Sequence, residues 1–112
     1  MDYIEQWAKE YGIDAVFGGY TDSLRFGVAG VCKGKKHNDP WRSRYAIIYI
    51  NHKLEDKSSE KEVAWHEFAH ALEWVKDGTM GNHGKRWAEY YHWKYTDLQR
   101  IIWSFIAFVQ ML

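Results

Sequence analysis

The stretch SEKEVAWHEFAHALEWVKDG, residues 59–78, predicts the helix on which the rest of the fold is built. Ser59 followed by Glu62 is the pattern of a capping box, in which each side chain satisfies a backbone N–H at a helix start. Residues 60–77 contain neither proline nor glycine, and Gly78 is of the type that commonly ends a helix. Apolar side chains recur at helical spacing, at Val63, Ala64, Phe68, Ala69, Leu72 and Val75. The pattern therefore predicts a helix with one buried face.

Two histidines and a glutamate give this helix its chemistry. His66, Glu67 and His70 form a His-Glu-x-x-His motif. Both imidazoles share one helix face and can bind one metal ion, while the glutamate can take a proton from a metal-bound water. Glu73 continues the same stripe, and burying these titratable groups without a partner would be costly. The residues predict a Zn²⁺ site in a hydrolase; a solvated surface pair of histidines is the alternative.

A catalytic zinc site needs a third protein ligand. His83 lies 83 − 70 = 13 residues after His70, in a loop whose glycines let the backbone turn toward the metal. Glu89, which lies 89 − 70 = 19 residues after His70, and His92 are the alternatives. His83 is preferred because it opens a second predicted helix, Gly84 to Tyr95, and can approach the first helix where the two cross.

Two other classes with the same motif do not fit. Metzincins require Gly and His at the third and sixth positions after the second histidine, where this chain has Glu73 and Lys76. Peptide deformylases take a cysteine ligand from an upstream loop, and the sequence around Cys32, the only cysteine, does not resemble that loop. Cys32 is better interpreted as a buried or idle thiol.

Residues 45–92 resemble the SprT-like zinc metalloprotease domain. The resemblance rests on the strand Tyr45 to Asn51, the His-Glu-x-x-His helix, and the segment His83-Gly84-x-x-Trp87. It implies that His66, His70 and His83 bind zinc, that Glu67 is the catalytic base, and that the substrate is a protein or peptide. Many members add a cysteine-rich zinc ribbon, which one cysteine cannot build, so this would be a minimal version. Some members act on proteins crosslinked to DNA.

The mechanism expected from these residues is hydrolysis by a zinc-activated water, with Glu67 passing the proton to the leaving amine. Tyr90, Tyr91 or His92 is expected to help stabilise the oxyanion. Glu73 either orients a ligand histidine or is a solvated acid. The alternative function is a catalytically idle, zinc-stabilised binding or regulatory module.

Composition fits one domain spanning residues 1–112. Seven Trp, eight Tyr and five Phe supply a core, and the 15 basic and 15 acidic residues cancel, which argues against coating nucleic acid by electrostatics alone. The N-terminus lacks a secretory pattern, so a cytoplasmic location is expected. The apolar stretch Ile101 to Leu112 is shorter than the roughly 20 residues of a membrane-spanning helix. It predicts a core helix and no membrane partner, and the oligomeric state stays open.

The order of predicted elements indicates an α+β, zincin-like fold. A helix from Tyr3 to Tyr11 precedes two strand-like runs, Ala15 to Tyr20 and Leu24 to Lys33, which a turn at residues 21–23 joins. The strand Arg44 to Asn51 completes a small three-stranded sheet, packed on the active-site helix with additional N- and C-terminal helices.

Two segments suggest binding. The strand from Arg44 to Asn51 is a candidate edge for an extended substrate, although its isoleucines, Ile47, Ile48 and Ile50, equally suggest a central strand buried on both faces. The loop before it carries five cations and a tryptophan but one acid, Asp39. This basic loop, with Lys33, Lys35, Lys36, Trp41, Arg42 and Arg44, is either solvated or holds single-stranded nucleic acid.

Overall fold

The computed structural model describes residues 2–13, 16–24, 27–39, 44–53, 59–81 and 83–93. A three-stranded mixed sheet and three helices make up this part of the chain, so the predicted α+β class is confirmed. The elements in chain order are α1 (Asp2–Glu10), β1 (Val16–Thr21), β2 (Gly30–Lys35), β3 (Tyr45–Asn51), α2 (Glu60–Asp77) and α3 (residues 85–93).

The strand order is β1-β3-β2, with β1 parallel and β2 antiparallel to β3. The predicted turn is present, since the Ser23 N–H donates to Thr21 Oγ1 at 3.2 Å. It does not make β1 and β2 neighbours, because β3 lies between them. The second strand also begins at Gly30 rather than at Leu24: Gly27 has a φ of 85°, which an extended strand does not allow.

The core lies between α2 and one face of the sheet. Burial alternates along β3, where Ala46, Ile48 and Ile50 are fully buried and the residues between them are partly exposed. The expectation that isoleucines are buried on both faces is therefore wrong for Ile47, which belongs to the opposite face. The substrate-edge interpretation of this strand is also wrong, because β3 is paired on both sides.

Helix α1 covers the same core, as its apolar face predicts. Ile4 and Ala8 are buried, and the rings of Trp7 and Tyr11 pack against Trp65 of α2 with centroids 5.2 and 5.4 Å away. The Trp7–Trp65 contact is edge to face, and such a pair adds about 0.5–1.5 kcal/mol beyond the area it buries.

The two ends of α2 differ in how well their sequence signals predict them. Ser59 is the N-cap, but its side chain makes no capping hydrogen bond, so the predicted capping box does not form. Gly78 ends the helix as predicted, with a φ of 77° and its N–H donating to the carbonyls of Glu73 and Trp74. The Arg44 guanidinium donates to the carbonyls of Trp74 and Val75, which fixes α2 to the start of β3.

None of the helices in the described part of the chain is long and apolar enough to cross a membrane. The predicted core helix at Ile101 to Leu112 lies outside the described residues.

Close approach of β2 to α2 depends on Gly34. A Cβ at this position would lie 2.8 Å from ring atoms of Trp74, whose indole N–H donates to the carbonyls of Lys35 and Tyr45. Because the ring is fixed, we expect Gly34→Ala to lower the free energy of unfolding by about 1–3 kcal/mol in urea titration. Gly19→Ala is the matched control, since no atom lies within 4 Å of its Cβ. An equal loss in both variants would contradict the packing argument.

Candidate metal centre and cleft

Three histidine rings converge where α2 meets the loop before α3. His66 and His70 lie one helical turn apart on α2, and His83 comes from the loop in which Gly81 has a φ of 110°. His83 Nε2 lies 2.9 Å from His66 Nε2 and 3.3 Å from His70 Nε2. Among the described residues, these three histidines form the cluster that could hold a metal ion, and their ligand atoms lie within 4.8 Å of one another.

The distances from His83 Nε2 to the other two ring nitrogens are close to those of a zinc site. Tetrahedral zinc with Zn–N bonds of about 2.0–2.1 Å places its nitrogen ligands about 3.3 Å apart, close to the two distances from His83. A neutral imidazole has one donor and one acceptor nitrogen, so three Nε2 atoms that meet at one point cannot all be paired by hydrogen bonds to each other. The donor set therefore suits zinc better than a hydrogen-bonded cluster.

His66 and His70 are held in the form that binds metals. Burial, followed by the neighbouring His66 and His83 rings, lowers the pKa of His70 to about 4. Burial and His83 also lower the pKa of His66. Neutral imidazoles at pH 7 present their lone pairs to a cation without first losing a proton.

Glu67 lies beside the cluster and is 8% exposed. Burial raises the pKa of its carboxyl to about 7, and the backbone N–H of Cys32, which donates to the carboxylate, opposes this rise. A carboxylate with a pKa near neutrality can both accept and release a proton under physiological conditions. Glu67 lines a cleft of about 360 Å³ together with His66, Tyr91, Val63, Glu62, Gly30 and Ala29.

Trp87 holds the three histidines in place. Its ring lies 4.9 Å from that of His66, 5.4 Å from His70 and 4.6 Å from His83, and its indole N–H donates to the His66 carbonyl at 3.3 Å. Beyond its place in the family motif, Trp87 had no predicted role. Its position four residues after His83, in the first turn of α3, is the sequence signal that could have identified it.

The other ligand candidates lie elsewhere. Glu89 accepts a hydrogen bond from Arg86 Nη1 at 2.8 Å, and His92 is exposed and packs against Tyr91. Neither belongs to the histidine cluster. Glu73 is buried but makes no hydrogen bond to a histidine within the described part of the chain, so the predicted orienting contact is absent there.

Tyr90 and Tyr91, two of the residues expected to stabilise the oxyanion, lie in different places. The Tyr90 hydroxyl donates to Asp77 at 2.9 Å and accepts from Arg86, and its side chain is 1% exposed, so it faces the core. Tyr91 instead lines the cleft with Glu67, stacks on Trp87, and has its carbonyl held by the indole of Trp65. Of the two tyrosines, Tyr91 is the one at the cleft.

Cys32 lies on β2 with its side chain next to Glu67. Burial, and then the Glu67 charge, raise the pKa of its thiol to about 12. A thiol that stays protonated at neutral pH is neither a good nucleophile nor a ready metal ligand, in agreement with an idle thiol.

The basic loop does not act as one surface. Lys33 and Lys35 are exposed on β2, whereas Arg44 is engaged with α2 and the Lys36 ammonium lies over the Trp74 ring. Trp41 and Arg42 lie outside the described residues.

Comparison with known families identifies a match over most of the chain. The model of the SprT-like family matches residues 6–94, which is most of the chain. No curated protein and no solved structure matches it.

Proposed function

Because this chain belongs to the SprT-like family, we propose that it is a zinc-dependent metallopeptidase that hydrolyses peptide bonds. The observation that supports this best is the convergence of three Nε2 atoms beside a buried carboxylate. In this proposal His66, His70 and His83 are the zinc ligands, and the fourth position is open to water.

Glu67 is the proposed general base. Bound zinc would supply a positive charge that acidifies water and polarises the scissile carbonyl. Glu67 takes the proton of the attacking water and delivers it to the leaving amine as the C–N bond breaks. The raised pKa of its carboxyl, about 7, favours both transfers. Tyr91, at the cleft, is the proposed oxyanion donor.

The free edge of β2 is the proposed substrate track. Among the described strands β2 pairs only with β3, and the Asn51 N–H donates to the Ala29 carbonyl. In an antiparallel pair, alternate residues bond to the partner strand, so Ala29 and every second residue after it bond to β3. The backbone N–H and C=O groups of Gly30 and Cys32 therefore point away from β3, toward the free edge. An extended peptide pairing there would pass Glu67, to which the Cys32 N–H donates. Main-chain pairing gives affinity with little sequence preference.

Casein cleavage tests the enzyme proposal. We expect the zinc-loaded protein to degrade casein, a chelator to stop the reaction, and added zinc to restore it. A zinc-stabilised binding module, the alternative, would bind zinc equally and cleave nothing, so cleavage and not metal content separates the two. If zinc-loaded protein cleaves amides of non-peptide substrates in a substrate panel but leaves casein intact, the peptidase assignment is wrong.

A further inference from the structure

The sheet has a second face, turned away from α2 and called the outer face here. The strand register shows which residues share it, since directly paired residues point to the same side. Its aromatic and charged members are Phe17 on β1, Tyr45 and Tyr49 on β3, and Lys33 and Lys35 on β2.

The aromatic rings form an accessible row, in which Phe17 and Tyr45 are in contact. Phe17 is 53% exposed, although large apolar side chains are usually buried. Its ring meets that of Tyr45 edge to face with centroids 6.4 Å apart, and the His37 imidazole also packs against Tyr45, with centroids 4.8 Å apart. Tyr49 continues the row along β3 and is half-buried.

The charges beside this row have one sign. The Lys33 ammonium lies 5.8 Å from the Tyr49 ring centroid, and Lys35 is exposed two residues along the same strand. No Asp or Glu stands on the outer-face positions of β1, β2 and β3. A face that combines accessible rings with lysines, and has no acidic side chain on its strand positions, attracts polyanions that carry flat π systems.

We propose that the outer face binds single-stranded nucleic acid, with bases stacking on Phe17, Tyr45 and Tyr49 and phosphates contacting Lys33 and Lys35. Every base has a π face, so such a platform tolerates any sequence, whereas the bases of a duplex are stacked on each other and inaccessible. A second copy of this chain is disfavoured as the occupant, because joining two outer faces would bring like charges together. The site lies across the sheet from the histidine cluster and does not depend on the peptidase proposal.

Fluorescence anisotropy of a labelled oligothymidylate, titrated with the full chain at several salt concentrations, tests this site. Phe17→Leu and Tyr49→Leu keep apolar volume but remove a ring, and each is expected to weaken binding about 10-fold. Lys33→Gln with Lys35→Gln should lower the slope of log Kd against log salt by about 1.4, since each single-strand phosphate contact contributes about 0.7. Because Phe17 is so exposed, its variant keeps the fold even if the Tyr49 variant does not.

The matched control is Lys61→Gln with Lys76→Gln, which removes the same charge from exposed positions of α2. It should leave the affinity and salt slope nearly unchanged. The proposal would be overturned if both lysine-pair variants lost affinity equally. Equal affinity for duplex and single strand, or no binding at low salt, would also overturn it. A dimer in sedimentation that Phe17→Leu dissociates would also overturn it, because a second copy would then occupy the face.

Discussion

Replacing Glu67 with glutamine is expected to lower the rate of casein cleavage by about 10³-fold while zinc stays bound. Glutamine keeps the shape of the side chain but cannot take a proton from water. Zinc should stay bound because the metal position is formed by His66, His70 and His83, and Glu67 is not one of these ligands. Initial rates and zinc content, measured on the same preparations of wild type and variant, test both parts.

Glu10→Gln makes the same chemical change at an exposed position at the end of α1 and should keep the wild-type rate. Retained cleavage in Glu67→Gln would refute the base assignment. Loss of zinc along with activity would instead show that the carboxylate holds the metal site together.

Replacing His83 with alanine is expected to weaken zinc binding by at least about 100-fold and to abolish cleavage. Zinc binding of roughly 10–16 kcal/mol is shared among about four ligands, so each nitrogen carries a large part of it. His83 also has the two short contacts that bring the cluster together, 2.9 Å to His66 and 3.3 Å to His70. Competition with a chromophoric chelator measures the change in affinity.

His92→Ala and Glu89→Ala are the controls for this prediction, because both residues were ligand candidates by sequence spacing. Each should bind zinc as tightly as the wild type. If His92→Ala loses zinc while His83→Ala keeps it, the ligand set proposed here is wrong.

Local signals in the sequence predicted much of α2 and α1. The apolar spacing and Gly78 gave the range of α2 and its C-terminal end, because these depend on helix periodicity and on one glycine conformation. The predicted capping box did not form, because it depends on the backbone conformation of Ser59 as well as on the spacing of Ser59 and Glu62. Ser59 adopts a φ of −90° and ψ of 0°, whereas an N-cap side chain reaches the helix N–H groups from the extended region.

The sheet was less predictable because strand order is a property of distant pairing. Nothing in the runs before Lys33 indicates that β3 inserts between β1 and β2. The three isoleucines of β3 also resemble a strand buried on both faces, whereas the structure buries only alternate residues and leaves the outer face accessible.

At the site, the motif predicted two of the converging histidines but not the neighbours that support them. The preference for His83 over Glu89 agrees with the convergence of the three rings. Tyr90 and Tyr91 are adjacent in sequence, and only packing shows that Tyr90 binds Asp77 while Tyr91 lines the cleft. Which tyrosine reaches the cleft depends on the rotation of α3 about its axis, which one sequence does not specify.

X-ray absorption at the zinc edge, on protein loaded with one equivalent of zinc, tests the central claim most directly. The account predicts a four-coordinate ion with three imidazole nitrogens and one oxygen, all at about 2.0–2.1 Å. A sulfur neighbour at about 2.3 Å, fewer than three imidazoles, or no bound zinc would contradict it.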